Sequence, residues 1–256
     1  MGSDGGFERY SRQMLLPQIG RTGQQKLAAA RIGVIGCGAL GSVIASHLVR
    51  AGVGLLRIVD KDYLEMHNLQ RQIVFTEEDV ARGLHKAEAA AAYLRKVNSR
   101  VMVESVVAAV DVGNLPVLAD DLDLLVDGTD NFPTRFSIND YAVARGMPWV
   151  YGGVITTAGM SMTIVPGEGP CLRCLVPELP PREQSLTTDV VGVLNTVAAV
   201  IGSVEATEAI KLVVDPAARS RALLVVDLWG PTCERLDVPQ DPDCACCGSR
   251  RTVAAP

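Results

Sequence analysis

From Arg31 onward, short runs of β-branched and apolar residues alternate with longer segments of helical periodicity. Short runs bounded by glycine, proline or aspartate predict strands, and longer segments rich in alanine and leucine predict helices. The predicted strands cover residues 32–35, 55–59, 101–107, 122–126, 149–151, 160–165, 222–227 and 232–238. The predicted helices cover residues 7–16, 23–30, 40–51, 86–97, 133–145 and 192–214. The repeated order of strand and helix predicts a Rossmann-like α/β fold, in which helices cover both faces of a mostly parallel sheet that ends in antiparallel strands.

The chain contains neither an internal repeat nor a low-complexity linker. This predicts one continuous domain over residues 1–256. Its parts are a helical arm over residues 1–30, a first half over 31–153 and a second half over 154–256. Two segments, 61–82 and 171–188, are polar or proline-rich and are predicted to be irregular.

Composition and charge exclude several classes of protein. A hydrophobic fraction of 48% and a mean hydropathy of +0.22 over 256 residues are typical of a globular chain with a large core. Basic and acidic residues, 24 and 29 in number, are mixed along the chain, which argues against a surface for nucleic acid or an anionic membrane. The longest apolar run, 190–204, is shorter than the roughly 20 residues of a membrane-spanning helix and predicts a buried helix. Because residues 1–12 do not resemble a signal segment, we expect a cytoplasmic location.

A glycine-rich turn joins the first predicted strand of the α/β region to the helix that follows it. The turn has the sequence Gly36-Cys37-Gly38-Ala39-Leu40-Gly41. Its glycines allow the backbone to approach a phosphate, and the N–H groups of the following helix can bind one. Asp60 ends the next strand and can accept hydrogen bonds from ribose hydroxyls. The pattern predicts a nucleotide site over a mere tight turn, but it does not separate NAD from ATP.

Charged side chains downstream of Asp60 favour ATP over NAD. Arg71 and Lys86 supply cations, and Asp130 follows an apolar strand in the sequence Asp127-Gly128-Thr129-Asp130. A reaction at a phosphate needs cations where negative charge develops, and carboxyl ends of parallel strands lie at one edge of a sheet. Each residue also has a structural interpretation, the cations as surface charges and the aspartates as turn and helix-cap residues.

Five segments together resemble the MoeB/ThiF/HesA adenylyltransferases, over nearly the whole chain. The segments are Arg9-Tyr10-Ser11-Arg12-Gln13, the glycine turn, Asn68-Leu69-Gln70-Arg71-Gln72, Lys86, and Asp127-Gly128-Thr129-Asp130-Asn131 with Arg135. The resemblance implies that ATP activates the C-terminal glycine carboxylate of a small ubiquitin-fold sulfur-carrier protein ending in Gly-Gly, with release of pyrophosphate. It makes residues 31–153 the nucleotide-binding half and residues 154–256 the carrier-binding and zinc half.

The resemblance also implies roles for single residues. Arg71 and Lys86 would neutralise the phosphates of ATP, Asp130 would organise Mg²⁺, and Arg12 would reach the ATP of the partner subunit in a homodimer. This agrees with the general rule that such transfers depend on positioning and on charge stabilisation by metal and guanidinium groups. The residues expected to bind the nucleotide are Gly36, Gly38, Ala39, Gly41, Asp60, Asp62, Asn68, Arg71, Gln72, Lys86, Asp130 and Asn131.

Seven cysteines include two Cys-x-x-Cys pairs, Cys171 with Cys174 and Cys244 with Cys247. Four thiolates at this spacing suit a tetrahedral structural Zn²⁺. A redox dithiol is the alternative, but such a pair normally begins a helix in a thioredoxin-like unit, and neither pair is predicted to do so. Cys246 could replace Cys247 as a ligand, although the spacing from Cys244 favours Cys247.

Three other positions matter less for the expected activity. Cys37 is expected to be a small buried residue, and Cys233 has no assigned role. Many members of the family carry a cysteine before the long C-terminal helix, in a run resembling Leu-Thr-Cys, where this chain has Leu186-Thr187-Thr188. Because an alcohol is a weaker nucleophile than a thiolate, we do not expect a covalent sulfur or thioester step at Thr188, whereas adenylation does not need one.

Other functions compete with this hypothesis. An NAD-dependent oxidoreductase would explain the glycine turn and Asp60, but not Arg71, Lys86, Asp130 or the cysteine pairs. A non-catalytic scaffold of the same fold would not need Asp130 and Arg71. A related branch that adenylates and cyclises a tRNA-linked threonyl carboxylate ranks lower, because the mixed charge offers no tRNA surface. The sequence does not identify the carrier or its pathway.

Overall fold

The computed structural model describes residues 7–180 and 188–249. The strands of this part of the chain are β1 (Arg31–Ile35), β2 (Leu55–Val59), β3 (Met102–Val106), β4 (Leu124–Asp127), β5 (Trp149–Ile155), β6 (Ala158–Ile164), β7 (Leu223–Asp227) and β8 (Thr232–Leu236). They form one eight-stranded sheet in the spatial order β3-β2-β1-β4-β5-β6-β7-β8. Sequence predictions on residues 1–6, 181–187 and 250–256, among them those on Leu186 and Thr187, lie outside the described residues.

Helices connect most of the strands. They are α1 (Ser11–Met14), α2 (Gly20–Ala29), α3 (Ala39–Ala51), α4 (Glu77–Ala81), α5 (Lys86–Val97), α6 (Leu115–Ala119), α7 (Phe132–Arg145), α8 (Leu172–Leu175), α9 (Thr188–Val191) and α10 (Asn195–Val214). Short 3-10 turns are formed by Glu8–Tyr10, Met66–Asn68 and Pro216–Ala218. In the described residues no helix combines the length and the apolar character needed to cross a bilayer.

The sheet changes direction at β5. Strands β1 to β5 pair in parallel, since crossover connections join them, whereas β5 to β8 pair antiparallel. Ile35 is paired with Val59 on one side and with Asp127 on the other, so β1, β2 and β4 end at the same level. This confirms the predicted mostly parallel α/β fold with antiparallel C-terminal strands, and it sets the loops after these three strands side by side.

Apolar residues fill both faces of the sheet. One core joins α3, α5 and α10 to the sheet, and the other joins α6, α7 and the region of the cysteines to the opposite face. The predicted buried helix in the apolar run 190–204 is confirmed for α10, where Val197, Ile201 and Ala209 have no exposed surface. Gly202 allows α10 to approach α3 closely, because a Cβ at this position would lie 2.9 Å from the Cβ of Val43.

The N-terminal arm packs against the C-terminal end of α3. The side chain of Gln13 donates hydrogen bonds to the Gln24 side chain at 2.7 Å and to the Ala51 carbonyl at 3.1 Å. The Asn98 amide donates to the Tyr10 hydroxyl at 2.8 Å. These contacts fix the arm to the edge of the sheet where the parallel strands begin.

Several predicted element boundaries are wrong. The helix predicted over 7–16 is a 3-10 turn followed by the short α1, and the segments predicted to be irregular contain α4 and α8. The helix predicted over 192–214 is interrupted at Gly192, whose φ of +79° ends α9, and α10 begins only at Asn195. Leu194 donates instead to the Thr156 carbonyl in the β5–β6 turn at 2.7 Å, so a tertiary contact overrides the helical pattern there. Helix α6 was not predicted.

Candidate nucleotide site and cysteine cluster

Glycines bring the turn after β1 and the loop after β4 into backbone contact. Gly36 has a φ of +87°, and a Cβ on it would lie 2.7 Å from the Gly128 carbonyl oxygen. A Cβ on Gly41 or on Gly128 would overlap the Gly36 carbonyl oxygen. Gly128 N also donates to the Ile35 carbonyl at 2.7 Å. The two loops therefore form one surface at the carboxyl edge of the sheet, where α3 presents its N-terminus.

Asp60 binds the glycine turn directly. Its Oδ2 accepts a hydrogen bond from Cys37 N at 2.7 Å, and its Oδ1 accepts one from Asp62 N at 2.8 Å. Burial raises the pKa of the Asp60 carboxyl, while these bonds and the nearby Lys86 ammonium oppose the shift. Asp60 therefore stabilises the turn in addition to any contact with a ribose.

Lys86 lies inside this region and not on the open surface, although it begins α5. Its Nζ lies 3.1 Å from Asp62 Oδ2, and its backbone N–H donates to the Asp62 carbonyl at 2.9 Å. Only 9% of the lysine is exposed. The interpretation of Lys86 as a surface charge is therefore wrong, since a buried ammonium normally needs a carboxylate or another anion beside it.

Asn68 and Gln72 fold the segment between β2 and α4 against the turn. The carbonyl of Asn68 accepts hydrogen bonds from the backbone N–H groups of Arg71 and Gln72 at 3.1 and 3.0 Å. Gln72 Nε2 lies 3.9 Å from the position of a Cβ on Gly38, and its buried Oε1 has no hydrogen-bond partner among the described residues. The half-buried Arg71 donates from Nη1 to the His67 carbonyl at 2.9 Å. Gln72 therefore lies beside the glycine turn, and Arg71 precedes it in the chain.

A buried ion pair between Arg135 and Asp127 stabilises the loop after β4. Arg135 Nε lies 2.9 Å from Asp127 Oδ2, and Arg135 Nη2 donates to the carbonyls of Thr129 and Gly152 at 2.6 and 2.9 Å. Burial disfavours a charge on Arg135, but the Asp127 carboxylate and its hydrogen bond hold the pKa of the guanidinium above its ordinary value. Asp127 and Arg135 therefore fix the backbone that leads to Asp130.

The helix cap of α7 is Asn131 and not Asp130. Asn131 Oδ1 accepts a hydrogen bond from Thr134 N at 3.0 Å, whereas Asp130 remains exposed. The cap interpretation of Asp130 is therefore wrong. Asp130 is exposed in the loop after β4, two residues after Gly128, which contacts the glycine turn.

Arg12 is the predicted site residue that lies elsewhere in the same chain. Its neighbour Gln13 contacts Ala51 at the end of α3, whereas the glycine turn lies at the beginning of this 13-residue helix. At 1.5 Å per residue the two ends of α3 are about 20 Å apart. The exposed Arg12 therefore lies beside the end of α3 that is opposite the glycine turn.

The structure brings together four cysteines that are distant in the sequence. Cys171 Sγ lies 3.7 Å from Cys244 Sγ, and Cys174 Sγ lies 3.4 Å from Cys247 Sγ. All four sulfur atoms lie within 4.8 Å of one another. Tetrahedral zinc with Zn–S bonds of about 2.3 Å needs sulfur atoms roughly 3.8 Å apart, so the cluster fits a zinc ion.

Cys171 is the N-cap of α8, which bears on the alternative of a redox dithiol. Helix α8 is a single turn of four residues, however, and each of its cysteines faces a sulfur of the distant pair. That arrangement is typical of four-thiolate metal sites. Cys246 is buried beside the cluster and accepts a hydrogen bond from Asn139 Nδ2 at 3.2 Å. It does not belong to the group of four.

The two remaining cysteines have different environments. Cys37 is fully buried in the glycine turn, as expected, and burial raises the pKa of its thiol. Cys233 lies exposed on β8. Neither belongs to the group of four cysteines.

Sequence reasoning left two buried groups near the site without a role. In the sequence analysis Arg135 appeared only as part of a family pattern. Its pairing with Asp127 could have been inferred, because Asp127 ends a predicted strand and Arg135 lies near the start of the helix that follows. Glu205, inside the apolar α10, gave no signal beyond being an acid in an apolar helix. Its contacts could not be inferred from local pattern.

Comparisons with known proteins agree with this geometry. A family model described as the ThiF family matches residues 10–246. The SAMP-activating enzyme E1 of Haloferax volcanii is 40% identical over 243 residues, which cover 94% of this chain and 89% of that protein. The sulfur carrier protein adenylyltransferase of Thermus thermophilus is 38% identical over 254 residues, which cover 96% of this chain and 92% of that protein.

The chain is also similar to a second adenylyltransferase and to a solved structure. The sulfur carrier protein ThiS adenylyltransferase of Bacillus subtilis is 43% identical over 225 residues, which cover 86% of this chain but only 65% of that protein. A crystal structure of E. coli MccB with MccA-N7isoASN matches 96% of this chain and 75% of that chain, with a TM-score of 0.84 and 24% identity. This structural likeness shows the fold alone.

Proposed function

This chain belongs to the ThiF family, and we propose that it uses ATP to adenylate the C-terminal glycine carboxylate of a small ubiquitin-fold sulfur-carrier protein. The observation that carries the proposal is the meeting of the glycine turn, Asp60, Lys86 and the Asp130 loop at one edge of the sheet. Two relatives that are similar over about nine tenths of their length are named SAMP-activating enzyme E1 and sulfur carrier protein adenylyltransferase. A hydride-transfer enzyme would not explain the buried Lys86, because hydride transfer needs no cation beside a phosphate that reacts.

The roles of the residues follow from their places. The N-terminus of α3 and the glycine turn receive phosphate oxygens, and Asp60 accepts hydrogen bonds from the ribose. Asn68 and Gln72 orient the segment that carries Arg71, and Arg71 and Lys86 neutralise the phosphates. Asp130 and Asn131 follow β4 in the loop whose Gly128 contacts the glycine turn, and Asp62 lies 3.1 Å from Lys86 Nζ. Asp130 would hold Mg²⁺, which when bound stabilises negative charge on phosphate oxygens.

The proposed step is a displacement at the α-phosphorus of ATP. An oxygen of the carrier's terminal carboxylate attacks this phosphorus and forms the acyl–phosphate bond. The bond between the α-phosphorus and the oxygen that bridges to the β-phosphate breaks, and pyrophosphate leaves with the electron pair. The chain's own contribution is to position both reactants and to stabilise the charge that moves onto the pyrophosphate.

The proposal includes a homodimer in which Arg12 acts at the partner subunit's ATP. Arg12 lies about 20 Å from the glycine turn of its own subunit, by the length of α3. Leu15 and Leu16, just after it, are 72% and 51% exposed. The outer face of α10 adds an apolar groove that includes Val200 and Val204. Exposed apolar residues of this kind are typical of subunit interfaces.

The proposal also includes one structural zinc ion at Cys171, Cys174, Cys244 and Cys247. The ion would attach the segment after β8 to α8, and four thiolates leave no open position for a substrate. Thr188 begins α9, but as an alcohol it is not proposed to form a covalent link with the carrier.

Pyrophosphate exchange tests the function. The chain is mixed with ATP, radiolabelled pyrophosphate and a purified ubiquitin-fold carrier ending in Gly-Gly, and label entering ATP is measured. We expect exchange that depends on the carrier and disappears when its last glycine is removed. Absence of exchange with every candidate carrier, together with binding of NADH, would overturn the proposal.

The variant Asp130→Ala tests the assignment of the site. We expect exchange to fall below detection while the melting temperature changes little, because Asp130 is exposed. Glu78→Ala, at another exposed acid in α4, is the matched control and should keep full activity. Normal exchange in Asp130→Ala would remove Asp130 from the proposed machinery.

Mixing two inactive variants tests the action of Arg12 across the dimer. Random reassociation of Arg12→Ala with Asp130→Ala subunits gives half mixed dimers, each with one intact site, so about a quarter of the wild-type activity should return. A mixture of Lys86→Ala with Asp130→Ala is the control, since both changes affect the site of their own subunit and no activity should return. Failure of the first mixture to regain activity would contradict the proposed reach of Arg12.

A further inference from the structure

Glu205 is an unusual residue for the middle of an apolar helix. It lies in α10 on the side that faces the sheet, and none of its surface is exposed. Neither of its carboxyl oxygens has a hydrogen-bond partner among the described residues. An isolated buried carboxylate is strongly unfavourable, so this position requires either a neutral acid or a compensating charge.

The carboxyl group of Glu205 occupies the place of a missing side chain on β5. A Cβ built on Gly152 would overlap the Glu205 carboxyl carbon and both of its oxygens. Gly152 is therefore a glycine because the acid from α10 packs directly on its Cα. Ser161, paired with Gly152 across β5 and β6, also has a buried hydroxyl without a partner among the described residues.

Gly152 links Glu205 to the loop that carries Asp130. The Gly152 carbonyl accepts a hydrogen bond from Arg135 Nη2 at 2.9 Å, and the same nitrogen donates to the Thr129 carbonyl at 2.6 Å. Arg135 Nε is in turn bound to Asp127 at 2.9 Å. A change in the position of β5 at Gly152 is thus transmitted to the residue that precedes Asp130.

We propose that Glu205, as a neutral acid packed on Gly152, is a positioning residue that keeps Arg135 bound to Asp127 and Thr129 and so holds the Asp130 loop in place. Loss of its proton creates a second buried carboxylate that competes with Asp127 for Arg135. This inference rests on the proposed adenylation for its effect on activity, but not for its structural part.

The charges around Glu205 agree with the neutral form. Burial raises the pKa of Glu205 well above its ordinary value, the Asp127 carboxylate adds to the shift and Arg135 opposes it. Tyr151 of β5 is the other titratable group in this network. On α10 itself, Glu208 is bound to Thr163 Oγ1 at 3.0 Å and to Lys211 Nζ at 2.6 Å. Among the described residues Glu205 has no such cation of its own, since Arg135 is already bound to Asp127.

A raised pKa in the folded state fixes the sign of the pH dependence. The folded chain holds a proton on Glu205 that the unfolded chain loses above about pH 4.5. The stability contributed by the neutral acid is therefore complete at low pH and decreases as the pH rises through the folded-state pKa. The variant Glu205→Gln, which is neutral at every pH, lacks this decrease.

The first experiment compares Glu205→Gln with the wild type from about pH 5 to about pH 9. We expect the melting temperature of the variant to exceed that of the wild type by an amount that grows with pH. We expect kcat for pyrophosphate exchange to be within about twofold near pH 7 and to fall less at alkaline pH in the variant. Glu208→Gln, one turn away on a paired acid, should not show the growing difference. Superimposable wild-type and Glu205→Gln curves would overturn the inference.

A second pair of variants tests the contact itself. Gly152→Ala should reduce exchange by at least about tenfold, because the new methyl group meets the Glu205 carboxyl. The double variant Gly152→Ala with Glu205→Ala should recover part of that loss, since the second change makes room for the methyl group. No recovery in exchange or in melting temperature would contradict the proposed contact. If the wild type shows no exchange with any carrier, the proposed function fails, while the melting temperatures of the same variants still decide this inference.

Discussion

The carboxyl edge of the parallel strands, where we propose the nucleotide site, and the cysteine cluster are built on opposite principles. At the edge, backbone atoms of Gly36, Gly41 and Gly128 touch, and each loop there directly follows its own parallel strand. In the cluster, Cys171 meets Cys244 across 73 residues of sequence. The edge is therefore held by the sheet and carries exposed functional groups, whereas the cluster holds the end of the chain. Changes at the edge should affect activity more than stability, and changes in the cluster should do the reverse.

The largest expected effect on stability comes from removing one cysteine of the cluster. Cys174→Ser should lower the zinc content from about one ion per chain and lower the free energy of unfolding by about 4 kcal/mol or more, because loss of a structural metal also removes folding energy. Zinc analysis and thermal unfolding measure both quantities. Cys233→Ser, at the exposed cysteine of β8, is the control and should change neither. A metal-free chain with unchanged melting would show that the cluster does not stabilise this half.

At Lys86, by the carboxyl edge of the parallel strands, we expect a large loss of activity and a small loss of stability. Lys86→Ala should lower kcat for pyrophosphate exchange by roughly 10²-fold to 10³-fold, since it removes a cation aimed at developing negative charge. Stability should change far less than in Cys174→Ser, because the partner Asp62 is 54% exposed and can be solvated. Lys61→Ala, at a neighbouring exposed lysine, is the matched control. Equal losses of melting temperature in Lys86→Ala and Cys174→Ser would break the contrast between the two regions.

The same contrast explains how much could be predicted from the sequence. The glycine turn, Asp60 and the two cysteine pairs were recognisable because each depends on residue types at short, fixed spacings. The order of strands and helices followed from periodicity for the same reason. The role of each nucleotide-site residue and the division of the chain at residues 30 and 153 stay predictions.

Features that depend on contacts between distant segments could not be predicted. The break at Gly192 arises because the backbone after α9 bonds to the β5–β6 turn, which no local pattern encodes. Gly152 is required by a carboxyl group 53 positions later in the chain, on Glu205. In each case a tertiary contact decided between alternatives that local propensity left equal.

A smaller effect is expected at the opposite edge of the sheet, where the parallel strands begin. Asp121 binds Arg57 and Arg31 there, and the hydrogen bond from Arg57 holds the pKa of this carboxyl below its ordinary value. Its contribution to stability is therefore present above the unfolded-state pKa of about 3.9 and is lost as the pH falls below it. Because Asp121 is 48% exposed, Asp121→Asn should cost less than about 1 kcal/mol near pH 7. Exchange activity should be unchanged, and a clear loss would show that the two edges are coupled.

The smallest expected effect is at Thr188, at the beginning of α9. Thr188→Ala should leave exchange unchanged, because the nucleophile in adenylation is the carrier's own carboxylate and the hydroxyl at 188 is not needed to form the acyl adenylate. Intact-mass measurement of the wild type with ATP and carrier should likewise show no covalent adduct at this position. Thr188→Cys is the informative companion: a thiol there could capture the activated carrier as a thioester, whereas the native alcohol does not. An adduct on native Thr188 would mean that the protein performs a second transfer step after adenylation. The comparison of two regions, one for activation and one for stability, would then have to include a third, catalytic region around α9.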